Sequence, residues 1–266
     1  MSTLVVIPAR YASTRYPGKP LVELTGATGV ARSLVERSWR AANEATGVDR
    51  VVVATDDARI AEHATGFGAE VAMTPESCRN GTERCAAAAA NLGLGEADVV
   101  INLQGDAPLT PPWFVEALAR TMADPRVQVA TPVLRLEADT LQSFKDDRAA
   151  GRVGGTTAVF DRQYRALYFS KEVLPYTGRS FAEDEEIPVF HHVGVYAYRP
   201  PALSAYSAWP EGALEKWEGL EQLRFMENGI PVTCVEVQAR GRAFWELNNP
   251  VDVDRIEAIL KAQGQE

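Results

Sequence analysis

Short apolar runs in the first hundred residues constrain the fold of this chain more than any other sequence feature. The runs are Leu4–Ile7, Val51–Ala54, Ala69–Ala72 and Val99–Leu103. They are nearly continuous and rich in valine and isoleucine, whereas a half-exposed strand alternates apolar and polar residues. This composition is typical of strands that are covered on both faces, as in a mostly parallel sheet.

Stretches with helical character separate these runs, at Val30–Thr46, Asp57–Thr65 and Thr82–Leu92. The first places Leu34, Val35 and Trp39 at helical spacing, and the last contains the alanine run Ala86–Ala90. The repeated order of strand, helix and strand predicts an α/β fold with a doubly wound, mostly parallel sheet. Ligands of such sheets bind at the carboxyl ends of the strands, so function is expected in the segments that follow the runs.

The pattern changes after about residue 150 and predicts an antiparallel insertion. Thr156–Phe160 and Arg165–Phe169 are spaced as a hairpin, and His192–Tyr198 alternates like a half-exposed strand. The remaining predicted elements are a helix over Ala213–Asn228 that ends at Gly229, a strand over Val232–Val237 and a last helix from Pro250 to Leu260. Since no linker or repeat interrupts the chain, we expect one domain over residues 1–266.

Composition excludes several classes of protein. The chain has 266 residues with 27 Lys and Arg against 36 Asp and Glu, a net charge of -9, which argues against a nucleic-acid partner. Its three cysteines include no CxxC pair, which argues against a zinc ribbon or a disulfide framework. With no signal-like or membrane-length apolar stretch, we expect an unprocessed, soluble protein of the reducing cytoplasm.

A cationic loop follows the first run. Arg10, Arg15 and Lys19 place three cations within ten residues, Ser13 adds a hydroxyl donor, and Gly18 allows close backbone approach. In an acidic protein this loop predicts a local anion site that suits a triphosphate; by itself it would also suit a solvated basic loop. The loop lacks the glycine patterns of dinucleotide folds and P-loops, which argues against an NAD oxidoreductase.

A carboxylate follows the fourth run at the same predicted edge of the sheet. Asp106 comes directly after Gln104 and Gly105, and a carboxylate beside substrate phosphates is the usual ligand of Mg²⁺ in nucleotidyl transfer. By itself Asp106 would also suit a turn or a helix cap. Asn80–Arg84 opens the third predicted helix, where exposed backbone is suited to contact a base edge.

Taken together, these motifs resemble the CMP-Kdo synthetases, the 3-deoxy-manno-octulosonate cytidylyltransferases. The matching segments run in order from residue 4 to about 237: Ile7–Arg15, Pro17–Leu21, Ala54–Asp56, Gly81–Arg84, Gln104–Asp106, Ala166–Ser170, His192–Tyr196 and Leu220–Arg224. The resemblance implies a magnesium-dependent homodimer. In such an enzyme a hydroxyl of an acidic sugar attacks the α-phosphorus of CTP and releases pyrophosphate.

The resemblance also assigns roles to residues of this chain. It implies catalytic roles for Arg10, Arg15, Lys19 and Asp106, with magnesium on Asp106. It places the nucleotide against Ala9, Arg10, Ser13, Arg15, Lys19, Thr55, Asn80, Gly81, Arg84 and Gln104, and the acceptor against Lys171, His192, Tyr196, Glu221 and Gln222. By itself His192 would suit a structural role on its strand, and Glu221 and Gln222 would suit a solvated helix face. Within the single domain, residues 1–150 would bind nucleotide, 151–240 would bind acceptor and form the dimer, and 241–266 would add a C-terminal helix.

Three positions depart from the resembled pattern. Asn248 stands where a second magnesium-binding aspartate is expected, Ala107 stands for a glutamate, and Lys171 stands for an arginine. An amide oxygen coordinates Mg²⁺ without adding negative charge, so a second metal would be held more weakly unless Glu246, Asp252 or the acceptor supplies that charge. Two acceptors therefore stay open at this point: a Kdo-like sugar acid, or another acid such as the phosphonate phosphonoformate. A CTP-binding pseudoenzyme is a further alternative.

Overall fold

The computed structural model describes residues 1–12, 16–105, 108–153, 155–182, 185–242, 247, 249–250 and 252–266. The described strands are β1 (Thr3–Ala9), β2 (Glu23–Thr25), β3 (Ala31–Ser33), β4 (Arg50–Thr55), β5 (Glu70–Met73), β6 (Val99–Leu103), β7 (Val129–Arg135), β8 (Thr157–Phe160), β9 (Ala166–Ser170), β10 (Phe190–His192), β11 (Val195–Tyr198) and β12 (Val232–Val237). The described helices are α1 (Leu34–Glu44), α2 (Ala58–Gly66), α3 (Gly81–Asn91), α4 (Pro112–Thr121), α5 (Ala138–Ala149), α6 (Pro200–Ala208), α7 (Ala213–Glu218), α8 (Leu223–Glu227) and α9 (Asp252–Ala262), with a 3₁₀ turn at Lys19–Leu21.

A central mixed sheet organises the described residues. Its strand order is β5-β4-β1-β6-β11-β7-β10-β8-β9, and β12 pairs with β7. The pairs β5–β4, β4–β1 and β1–β6 are parallel, so β1, β4, β5 and β6 end at one edge of the sheet. The strands β8, β9, β10 and β11 add antiparallel pairs. The predicted α/β class with an antiparallel insertion is confirmed.

Helices cover both faces of the sheet, which explains the continuous apolar runs. Along β1, Val6 packs on one face in a cluster with Ala88 of α3. Val5 and Ile7 point to the opposite face, where Phe114 of α4 belongs to their cluster. Successive residues of one strand point to opposite faces, and both faces are buried. Each run therefore needs apolar residues at successive positions.

The first predicted helix begins later than expected. Residues 31–33 form β3, which pairs with β2 in a small two-stranded sheet, and α1 begins at Leu34. Ser33 ends the strand and caps the helix, because its hydroxyl accepts a hydrogen bond from the Glu36 backbone N–H. The cap therefore decides where the helix begins, and the apolar spacing does not reveal it.

His192–Tyr198 was predicted as one half-exposed strand, and this prediction was wrong in both extent and exposure. The structure divides it into β10 and β11, which share neighbour β7 and pair on their other side with β8 and β6. The residues of β11 are all buried, because the strand lies inside the sheet. The polar atoms of its tyrosines therefore need partners within the fold.

The predicted single helix over Ala213–Asn228 was also wrong. Gly219 adopts a left-handed backbone (φ 62°), which ends α7, and α8 begins only at Leu223. Residues 219–222 form a turn, which we call the α7–α8 turn. The turn presents Glu221 and Gln222 outside regular helix.

The hairpin of β8 and β9, the strand β12 and the last helix are found close to their predicted positions. Among the described residues, no helix combines the length and apolarity that crossing a lipid bilayer requires.

Candidate active site

The carboxyl ends of β1, β4 and β6 lie side by side and carry the polar residues that follow each strand. In the register, Ala9 pairs with Thr55 and Val6 pairs with Asn102. A Cβ on Gly105 would lie 3.1 Å from the Pro8 carbonyl oxygen, so the segments after β1 and β6 are in close contact. The neighbouring Asp106, like Ser13, Arg15 and Asn248, lies outside the described residues.

Local contacts hold both ends of the cationic loop. The Gly18 backbone N–H donates to the Tyr11 carbonyl at 2.9 Å, and Gly18 has a left-handed φ of 70°. The Arg59 guanidinium lies 3.3 Å from the centre of the Tyr11 ring.

Lys19 opens the 3₁₀ turn directly after Gly18. Arg10 extends from β1 to donate a hydrogen bond to the Arg79 carbonyl at 3.3 Å. The loop thus places Arg10 and Lys19 at the carboxyl edge of the sheet.

The amino-terminal end of α3 forms the second wall of this edge. The Asn80 side chain caps the helix by accepting from the Glu83 N–H at 2.9 Å, and its amide nitrogen donates to the Tyr206 hydroxyl at 2.9 Å. A Cβ on Gly81 would lie 3.2 Å from the Asn102 amide nitrogen, so glycine allows α3 to approach β6 closely. The positive end of the α3 dipole is directed toward this region, as suits an anion.

Arg84 and Thr55, both predicted to contact the nucleotide, are buried beneath the edge. The Arg84 guanidinium donates to Asp56 at 2.8 Å and to the Thr74 hydroxyl at 2.6 Å, and only 2% of the residue is exposed. The Thr55 hydroxyl accepts from the Asp57 backbone N–H. In this structure Arg84 anchors α3 to the segment that follows β4.

The α7–α8 turn brings the predicted acceptor residues together. Glu221 accepts from the Gln104 side chain at 3.2 Å and from the Thr82 backbone N–H at 3.2 Å. The Tyr196 hydroxyl donates to the Gln222 side-chain oxygen at 3.1 Å, and the His192 ring lies 5.4 Å from the Tyr196 ring. Lys171 reaches the same turn, since a Cβ on Gly219 would lie 2.8 Å from its Nζ.

This shared position of Glu221 joins the two halves of the candidate site. Gln104 belongs to the edge after β6, and Thr82 belongs to the amino-terminal end of α3. Residues that were assigned separately to nucleotide and acceptor are thus one hydrogen bond apart.

Comparison with known proteins decides the family. The sequence profile of the family described as cytidylyltransferase matches residues 4–236. The chain belongs to the cytidylyltransferase family. This cytidylyltransferase is therefore a nucleotidyltransferase enzyme.

Its relatives are similar over their whole length. It is 46% identical to 3-deoxy-manno-octulosonate cytidylyltransferase of Maricaulis maris over 266 residues, which is 100% of this chain and 99% of the relative. It is 38% identical to the enzyme of the same name from Myxococcus xanthus, covering 98% of both chains. A solved structure described as CMP:2-keto-3-deoxy-manno-octonic acid synthetase complexed with CTP superposes with a TM-score of 0.82 at 34% identity, covering 99% of this chain and 100% of that one.

Burial shifts the pKa of two side chains near the α7–α8 turn of this cytidylyltransferase, His192 and Glu221. Burial, together with the neighbouring His191, lowers the pKa of His192 to about 3. Its Nε2 lies 3.0 Å from the Thr131 hydroxyl. Burial raises the pKa of Glu221, although its hydrogen bond from the Thr82 backbone acts in the opposite direction. His192 is therefore neutral near pH 7 and acts as a hydrogen-bonding group without charge.

Sequence reasoning missed Asn102 as a polar residue of this region, whereas it named Gln104 and Gln222. In the described part of the chain, the Asn102 side-chain amide and the Gln222 amide nitrogen are buried without a hydrogen-bond partner. Asn102 and Gln104 are two residues apart on one strand end, which was the available signal that they share a face. Buried polar groups need partners, so these atoms are suited to a bound ligand or to water.

The predicted metal ligands stay untested. Among the described residues, no group of three or more His, Cys, Asp or Glu side chains is placed to hold a metal ion. Asp106 and Asn248, which the sequence analysis associates with magnesium, are not among those residues.

We predict that the free energy of unfolding falls as the pH falls from 6.5 to 5. Burial lowers the pKa of His191 to about 4 and that of His192 to about 3, so the unfolded chain binds protons that the folded chain does not. Each histidine then contributes a slope approaching about 1.4 kcal/mol per pH unit, with full stability above pH 6.5. Urea unfolding at pH 5 to 7 measures this slope. His192→Gln should reduce it and the variant with His191→Gln added should reduce it further; an unchanged slope in both would contradict the prediction.

Proposed function

We propose that this enzyme transfers CMP from CTP to 3-deoxy-manno-octulosonate (Kdo) and releases pyrophosphate. The observation that carries the proposal is the Glu221 carboxylate, which bonds both Gln104 at the nucleotide edge and Thr82 at α3. The residues that we propose for nucleotide and for acceptor binding thus lie together. The names of the full-length relatives support Kdo as the acceptor.

The chemistry that we propose is a displacement at the α-phosphorus of CTP. An acceptor hydroxyl oxygen forms a bond to that phosphorus, the bond to the pyrophosphate oxygen breaks, and the hydroxyl proton passes to solvent. Two anions must approach each other, so the main requirement is neutralisation and alignment. Arg10, Arg15 and Lys19 would neutralise the triphosphate, and pyrophosphate would leave toward the cationic loop.

The acceptor would bind against the α7–α8 turn. Lys171 would offer its ammonium group to the acceptor carboxylate, and Gln222 and neutral His192 would bond its hydroxyl groups. Tyr196 would hold Gln222 in orientation, since its hydroxyl already donates to the Gln222 oxygen. The preference for an acidic sugar would then come from the Lys171 cation, which would lie beside neutral hydrogen-bonding groups and the Glu221 carboxyl group.

We also propose that magnesium supports the reaction. The group would be held by Asp106 beside the substrate phosphates, and when bound it would neutralise phosphate charge. The close contact between Gly105 and Pro8 supports this position, because it brings the start of that segment to the cationic loop. A role for Asn248 as a second ligand stays a prediction.

A homodimer and a cytoplasmic location likewise stay proposals. Two aromatic side chains of the acceptor part are almost fully exposed, Tyr176 at 91% and Trp217 at 90%, which suits a contact with a second copy. Sedimentation of the purified chain would measure its association.

Acceptor identity is tested by pyrophosphate release from CTP and Mg²⁺ with a panel of acids. We expect turnover with Kdo that exceeds turnover with other sugar acids and with phosphonoformate. The relatives from Maricaulis maris and Myxococcus xanthus are both named for Kdo, so the phosphonate acceptor suggested by Asn248 finds no support. Turnover on another acid with none on Kdo would contradict the proposal, and tight CTP binding without turnover on any acid would indicate a pseudoenzyme.

We predict that Lys19→Ala and Asp106→Asn each lower turnover by at least about 100-fold, the scale of losing one contact to transition-state charge. Steady-state rates at saturating CTP and acceptor measure the loss. Arg50→Ala and Glu70→Gln remove a cation and a carboxylate at the amino ends of β4 and β5, on the opposite edge of the sheet, and should keep wild-type rates. A near-wild-type rate for Asp106→Asn would remove Asp106 from the proposed metal role.

We predict that Gly105→Ala lowers kcat/KM for CTP by about tenfold. The added Cβ would lie 3.1 Å from the Pro8 carbonyl oxygen, so Gly105 and the Pro8 backbone must separate by a few tenths of an ångström, which disturbs the contact between the segments after β1 and β6. Gly66→Ala is the matched control, because its Cβ would meet no atom within 4 Å. Equal kinetics for the two variants would show that the close contact does not matter for activity.

A further inference from the structure

A buried arginine lies next to the α7–α8 turn and is not among the residues that the proposed reaction uses. Arg224 is on α8, and only 1% of it is exposed. Its Nε and Nη2 donate to the two carboxylate oxygens of Glu215 on α7, each at 2.6 Å. Its Nη1 donates to Glu83 on α3 at 3.2 Å, and its guanidinium lies 4.0 Å from the Tyr206 ring centre.

These contacts involve all three nitrogen atoms of the guanidinium group. Glu215 is itself buried, so its charge depends on Arg224 for compensation inside the fold. An ammonium group is a single point charge and cannot span Glu215 and Glu83 in this geometry. The position therefore requires arginine specifically, and removing it leaves a buried carboxylate without its cation.

Arg224 connects helix α3 with the helix pair α7 and α8, and these two parts are attached to the rest of the fold in different ways. Helix α3 is held to the sheet independently of Arg224, because Arg84 bonds Asp56 and Thr74 and the Asn80 side chain caps the helix. The pair α7 and α8 is connected to α3 by Arg224 bonding Glu83 and by Glu221 bonding Thr82. Loss of Arg224 should therefore loosen the α7–α8 turn and leave α3 in place.

We propose that Arg224 is a positioning residue that holds Glu221 and Gln222 at the acceptor end of the site. Its bonds to Glu215 join α7 to α8, so they fix both ends of the turn that carries these two residues. Its bond to Glu83 attaches the joined pair to the helix whose first turn contacts Glu221. Arg224 itself touches no substrate. This inference rests on the proposed function for the identity of the acceptor, but its structural part is independent of it.

The kinetic test compares Arg224→Met and Arg224→Lys with the wild type. We expect the Met variant to raise the KM for Kdo by at least tenfold, while the dissociation constant for CTP, measured by calorimetry without acceptor, changes less than twofold. We expect Arg224→Lys to restore little of the wild-type KM for Kdo, because an ammonium group cannot bond Glu215 and Glu83 as the planar guanidinium does. An unchanged KM for Kdo, or an equal loss of CTP affinity, would overturn the proposal, as would full recovery in the Lys variant.

Arg199→Met supplies the matched control for a merely structural role. Arg199 is 4% exposed, and its guanidinium donates to the carbonyls of Ala97, Val127 and Met122 near the amino ends of β6 and β7. This variant should lower the melting temperature without changing either substrate constant. If Arg199→Met raised the KM for Kdo as much as Arg224→Met, general destabilisation would explain both, and the proposal would fail.

A double-mutant cycle tests whether Arg224 acts through Glu221. In a Glu221→Gln background, Arg224→Met should reduce kcat/KM for Kdo by much less than in the wild type, because the residue that it positions is already altered. Fully additive losses would mean that the two residues act separately and would overturn this step.

Hydrogen exchange tests the positioning independently of any acceptor. In Arg224→Met, amides of residues 219–223 should exchange at least tenfold faster, while those of α3 keep their protection. Unchanged exchange over 219–223 would overturn the proposal. If the wild type fails to use Kdo but the exchange result holds, the proposed function fails while the positioning role of Arg224 stands.

Discussion

The parallel pairing of β1 with β4 on one side and β6 on the other is the constraint on which the rest of the structure depends. It brings three strand ends to one edge, so the segments that begin at Arg10, Asp56 and Gln104 start side by side. Helix α3 lies against the same edge, close enough that Gly81 and Asn102 are almost in contact. The candidate site is therefore a direct consequence of strand order.

Two buried arginines of this acidic protein are compensated by carboxylates inside the fold. Arg84 is neutralised by Asp56, and Arg224 is neutralised by Glu215 and Glu83. Burial keeps His192 neutral by lowering its pKa to about 3. These buried ionic groups serve geometry, whereas Arg10 and Lys19 lie at the sheet edge.

The accuracy of sequence reasoning varied with the kind of interaction involved. Runs such as Val99–Leu103 revealed buried strands because both faces of the sheet impose apolar residues on the chain locally. The exposure of His192–Tyr198 was misjudged because it depends on β6 and β8, which are distant in sequence. The break at Gly219 was missed because its left-handed turn is stabilised by contacts between α7 and α8. Arg84 and Thr55 gave no sequence signal that they are buried beneath the edge.

The sequence by itself determined the α/β class, the position of the cationic loop and the family resemblance, because each is written in adjacent residues. Only the tertiary structure decided which distant groups meet. It placed Glu221 between Gln104 and Thr82, and it joined Arg224 of α8 to Glu83 of α3. The physical reason is that hydrogen bonds and burial act over a few ångströms in space, and residues more than a hundred positions apart come that close only after the sheet has formed.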